Sequence, residues 1–86
     1  MTPRQQAIIN FIYSYSKMHG YPPTIREIGD GAGLASSGVT HGHLKRLEKK
    51  GYLKREADKP RTLALTKLGI ASVTEYEAHT DVLKDN

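Results

Sequence analysis

The sequence predicts a mostly α-helical domain with one small β-hairpin: an α+β fold of three helices, the hairpin and a further carboxyl-terminal helix. Three observations predict it. Apolar residues recur at helical spacing over residues 8–18 and 40–47. Threonine, serine and glycine stand where helices should begin and end. Two short segments of strand-type residues flank Ala57-Asp58-Lys59-Pro60.

The elements follow in order. Thr2-Pro3 starts a first helix, threonine as cap and proline in the first turn. Ile8, Phe11, Ile12 and Tyr15 form its apolar stripe, flanked by Ile9 and Met18, and Gly20 stops it, giving a helix over roughly 3–19. Tyr21-Pro22-Pro23 is an extended connector, because proline disfavours helix in the residue before it. Thr24 and Glu27 are spaced as a capping box for a second helix that runs to about Ala32, with Ile25 and Ile28 inward. Gly33 is the expected left-handed turn residue, and Leu34 plugs the turn into the core.

Ser36 or Ser37 caps a third helix. Thr40, Leu44 and Leu47 share its inner face, with His43 at the edge. Val39, His41, Gly42, Lys45, Arg46 and Lys49 point elsewhere. Gly51 reverses the chain. Residues 52–56 and 62–65 read as two strands, with Leu53, Leu63 and Leu65 toward the core and Lys54 and Lys59 in solvent. A helix, a glycine turn, a second helix and a following hairpin make a winged helix-turn-helix, assigned to residues 1–65. Thr66 caps a last helix over 66–79 with Leu68, Ile70, Ala71, Val73 and Tyr76 as apolar positions, which Gly69 weakens. Residues 80–86 are polar and expected to be a frayed, flexible tail.

The totals narrow the function. Eighty-six residues make one small domain. There is no cysteine, so disulfides and thiolate metal sites are excluded, and a reducing cytoplasm is compatible. No apolar run reaches the roughly 20 residues of a membrane helix, and no signal peptide is visible. Net charge is +4, but residues 37–61 alone carry +5 and the remainder −1. Lysine-rich helices are often only solvated faces. Clustering on a helix-turn-helix and its hairpin is what phosphate binding requires.

Other chemistries find little support. His41 and His43 are two apart on a helix and face different directions, and His19 and His79 are far away in sequence, so no metal is expected. Ser14, Ser16, Ser36, Ser37 and Ser72 read as caps or surface, with no base in context. Gly29, Gly31 and Gly33 end a helix rather than open one, so they are not a phosphate loop. Tyr13, Tyr15, Tyr21, Tyr52 and Tyr76 are scattered and form no stacking platform for single strands. An enzyme is not expected, nor any cofactor.

RQQAIINFI, GYPPTIREIG, GLASSGVTHGHLKRLEKKGYLKR and DKPRTLAL closely resemble the amino-terminal DNA-binding domain of LexA repressors, over about residues 2–65. The resemblance implies a winged helix-turn-helix that binds operators and represses bacterial DNA-damage genes, the SOS response, usually as a dimer on a palindrome. Family base readers at the start of the third helix correspond here to Ser36, Gly38, Val39, His41 and Gly42. Basic helix-end and wing residues imply phosphate contacts at Lys49, Lys50, Lys54, Lys59 and Arg61. Lys45 and Arg46 join them from the basic face, and Thr24, Arg26 and Ser37 from the helix starts.

Two departures matter. Many relatives carry a small polar residue, then Thr-Val, before His-Gly-His, where this chain has Gly38-Val39-Thr40. Val39 then faces the groove, suited to a thymine methyl, and His41 to a base edge or phosphate. The family also continues into a self-cleaving, dimerising domain with a serine-lysine pair. Eighty-six residues leave no room for it, so no autoproteolysis is expected. Ala32-Gly33 resembles the cleaved dipeptide but lies inside the helix-turn-helix. The segment from Leu65 to Gly69 instead resembles the last helix of other winged-helix regulators, often a dimerisation element. Leu68, Ile70, Val73 and Tyr76 are its candidate contacts, for a homodimer or a partner transcription regulator. The rival expectation is a protein-interaction module that pairs with or antagonises another regulator.

Overall fold

The computed structural model describes residues 1–56 and 62–73. Three helices come first: α1 (Pro3–His19), α2 (Ile25–Gly31) and α3 (Ser37–Lys49). Strands β1 (Leu53–Lys54) and β2 (Ala64–Leu65) follow, then a helical run over 67–73, here α4. The expected residues Lys59, Arg61 and Tyr76 lie outside the described residues, as does the tail.

Local signals set the helix starts. Thr2 and Thr24 each close a capping box, with Gln5 and Glu27 as third residues. The Thr24 hydroxyl accepts from Glu27 N at 3.2 Å, and Thr24 N donates to Glu27 Oε1 at 2.8 Å. Ser36, not Ser37, caps α3, its Oγ accepting from Val39 N at 3.2 Å. The α2–α3 turn needs a left-handed residue, and Gly33 supplies it at φ +69°. Leu34 N closes the turn onto Gly29 O at 2.8 Å.

The core is one cluster of Ile8, Ile9, Ile12, Ile28, Leu44, Leu47, Leu53, Leu63 and Val73, drawn from both ends of the chain. Each such side chain, fully buried, contributes about 1.5–3 kcal/mol. Ile25 and Leu34 pack against it partly buried. Tyr15 ties α1 to α2 through its hydroxyl, which donates to Glu27 Oε2 at 2.9 Å.

The hairpin differs from the expected strands over 52–56 and 62–65. Its antiparallel ladder covers two residues a side, Leu53 opposite Leu65 and Lys54 opposite Ala64. Farther out, the Thr62 hydroxyl accepts from Glu56 N at 3.0 Å and donates to Glu56 O at 3.1 Å. A side chain thus holds what was expected to be main-chain ladder.

The other difference concerns α4. Thr66 caps it, accepting from Gly69 N at 3.2 Å, and the same hydroxyl reaches Gly51 O. Gly69 is buried, and a Cβ there would overlap the Tyr52 carbonyl. The residue expected only to weaken the helix is what lets it pack. Val73, four residues on, shares that inner face and is fully buried in the core. Val73 is therefore taken up within the chain, correcting its place among the dimerisation candidates. Leu68 and Ile70 remain on the outside, 51% and 42% exposed.

Candidate nucleic-acid interface

The inner face of α3 determines what its outer face presents. Thr40, Leu44 and Leu47 are completely buried. The Thr40 hydroxyl is satisfied by donating to Ser36 O at 3.1 Å, as a buried hydroxyl must be. At the contact with α2, a Cβ on Gly29 would meet Thr40 Oγ1 at 2.9 Å, so the two helices cross closely there. Thr40 thus anchors α3 by packing and by a hydrogen bond, and the opposite side of the helix is turned to solvent.

That side carries the expected base readers. Ser36, Gly38, Val39 and His41 are exposed, and Gly42, whose only near neighbour among the described residues is the end of the Arg46 side chain, is half-buried. Val39 is 44% exposed, an apolar side chain with no core role. Ser36 and Ser37 share a cleft with Arg26 of α2, which brings two groups of candidate phosphate contacts together at the start of α3. Thr24 is held by its own helix start. Its oxygen accepts from Glu27 N within the capping box, which fixes the side chain, and its hydroxyl proton is the part that can be given to a phosphate.

The cations frame this surface. Lys45, Arg46, Lys49, Lys50 and Lys54 are all exposed. Arg55 behaves differently. Its Nε lies 3.7 Å from Glu48 Oε1, so its charge is turned back onto α3. Two features were missed in the sequence. Arg4 Nη1 donates to Gly33 O at 3.3 Å, pinning the start of α1 to the helix-turn-helix, and no local spacing signals it. His43 Nδ1 is buried with no hydrogen-bond partner, where the sequence placed His43 only at the edge of the inner face. Among the described residues no group of three or more His, Cys, Asp or Glu side chains lies close enough to hold a metal ion. Nor is any described helix long and apolar enough to cross a membrane.

Exposed helix, braced partner helix, hairpin and surrounding cations together define a winged helix-turn-helix. Staphylococcus aureus MepR in its DNA complex has the same fold: TM-score 0.73 at 21% identity, over 98% of this chain and 60% of that one.

A family model for the LexA DNA-binding domain matches residues 1–62, and the chain belongs to that family. A LexA repressor of Shouchella clausii is 46% identical over 80 residues, covering 93% of this chain and 38% of that protein. One from Staphylococcus aureus is 52% identical over 65 residues, covering 76% and 31%. The chain thus spans about a third of the length of the curated relatives it matches.

Proposed function

We propose that this chain is a sequence-specific binder of double-stranded DNA that represses transcription at a palindromic operator. The observation that carries the reading is the outer face of α3. It presents Ser36, Gly38, Val39 and His41 to solvent, fixed from behind by buried Thr40, Leu44 and Leu47 and ringed by exposed cations. A helix so mounted fits the major groove, while flanking lysines and arginines hold phosphates.

Roles divide by reach. Val39 suits a thymine methyl, and His41 a base edge. Ser36, Gly38 and Gly42 line the same approach. Ser37, Thr24 and Arg26 anchor phosphates at the two helix starts, with Lys45, Arg46, Lys49 and Lys50 along α3. Lys54 does so from β1, and the same role is proposed for Lys59 and Arg61, which lie outside the described residues. Relatives named LexA repressors support a bacterial cytoplasmic regulator of the DNA-damage response. No catalytic step and no cofactor belong to this reading.

Fluorescence anisotropy against a LexA-type palindrome and a scrambled duplex, at two salt concentrations, tests it. The expected outcome is a preference of about a thousandfold or more for the palindrome. Affinity should fall with salt at a slope of about −0.9 per phosphate contacted. His41→Ala should reduce palindrome binding more than scramble binding. Equal losses on both would remove His41 from base reading.

The exposed pair Leu68 and Ile70 favours a second reading beside the first. Two residues apart on a helix, they face different sides of α4, and each exposes apolar surface that suits an interface with a second copy or with another regulator. Sedimentation at tens of micromolar separates the two. A monomer there removes the homodimer and leaves the partner regulator.

A further inference from the structure

Helical glycines in this chain are of two kinds. At Gly29 an added Cβ would crowd Thr40 Oγ1 at 2.9 Å, at Gly31 it would overlap the Phe11 ring, and at Gly69 the Tyr52 carbonyl. Internal packing keeps those three bare. Gly42 has no such reason. It lies in the middle of α3, outside the positive-φ glycines. An added Cβ would meet nothing nearer than Arg46 Nη1 at 3.7 Å, ordinary contact with the end of a flexible side chain. Glycine in a helix interior is less stable than alanine, so α3 is weakened at a position where its own fold accepts a methyl group.

The position explains what the methyl group would obstruct. At about 100° per residue, Gly42 lies roughly 200° around α3 from Thr40. Thr40, Leu44 and Leu47 mark the buried side. Gly42 is therefore close to the outermost line of the helix, among exposed Val39, His41, Lys45 and Arg46. Gly38, one turn earlier, is also unobstructed, with only Ser36 Oγ at 3.8 Å. It sits in the first turn, where glycine weakens the helix less.

We propose that Gly42 is a specificity-determining, close-approach residue: its missing Cβ lets the outer line of α3 touch a base-pair edge on the floor of the major groove. The inference rests on the DNA-binding reading above. A carbon–carbon bond adds about 1.5 Å to the helix surface. Hydrogen bonds tolerate only about half an ångström of spread, 2.7–3.2 Å. A methyl group at 42 would therefore lift His41 and Val39 out of reach of base edges. Long lysine side chains absorb the same displacement, so phosphate contacts would survive it. The glycine thereby affects discrimination between sequences more than attraction to DNA as such.

The test uses the duplex that the wild-type chain enriches from a randomised pool, and a scramble of it. Thermal unfolding and anisotropy titrations are run on wild type and Gly42→Ala. The expected result is a thermal midpoint raised by a few degrees and a preference for the enriched duplex reduced tenfold or more. Repeated in an Arg46→Ala background, the loss of preference should persist. An unchanged preference in the stabilised variant overturns the proposal. A lowered midpoint does so too, since the fold would then need the glycine. A loss that vanishes without Arg46 would show that Gly42 merely seats that side chain. Failure of the wild type to enrich any duplex is a different result. It removes the DNA-reading proposal first, and this inference with it.

Discussion

The first fifty residues and the region from Gly51 to Val73 are held in place by different means. In the first, each helix start is determined within three or four residues: Thr2 with Gln5, Thr24 with Glu27, Ser36 with Val39. In the second, the fixing contacts span longer stretches of chain. Thr66 N donates to Tyr52 O at 3.1 Å, Thr66 Oγ1 reaches Gly51 O, and Leu53 pairs with Leu65. The strands are too short to stand alone. Damage to a local cap should therefore be contained, whereas damage to the Gly51–Thr66 junction should loosen hairpin and α4 together.

The strongest probe of this contrast is Gly69→Ala. The new methyl group overlaps the Tyr52 carbonyl, and overpacking of this kind costs about 1–3 kcal/mol. Urea unfolding should show the loss in full. An unchanged midpoint would mean that α4 slides aside freely and that the second region is not jointly fixed. Thr66→Ala comes next, removing a cap and the bond to Gly51 at once, for about 2 kcal/mol, with Thr66→Ser restoring most of it. Ser36→Ala loses one local cap and should cost about 1 kcal/mol. Finding Ser36→Ala as damaging as Thr66→Ala would erase the distinction. The smallest stability effect is expected for Lys49→Ala, within about 0.5 kcal/mol. It sharpens the contrast between fold and surface, because its salt slope on DNA should drop by about 0.9. Lys54→Ala should likewise weaken binding to all sequences alike, read by anisotropy on palindrome and scramble.

Legibility in the sequence follows the same division. Capping residues, the Gly33 turn and the stripe of Thr40, Leu44 and Leu47 depend on neighbours within one or two helical turns, so spacing alone finds them. The need for Gly69 does not show there, because its cause is a carbonyl seventeen residues earlier in the chain. The burial of Val73 was hidden for the same reason: apolar positions on both sides of α4 look alike until a partner surface selects one. At the candidate site, exposure of Ser36, Val39, His41 and the lysines was readable from the opposite, apolar face. The inward turn of Arg55 toward Glu48 was not, since both residues belong to a charge-rich stretch with many alternative pairings.

Val73 has a practical consequence. The family match ends at residue 62, yet a completely buried core side chain stands eleven residues beyond it. Anyone transplanting this winged helix onto another protein by cutting where the family-model match ends would leave a hole beneath the wing. A fusion joint placed beyond Val73 keeps that side chain in the core; one placed at 62 removes it together with β2, the partner of β1.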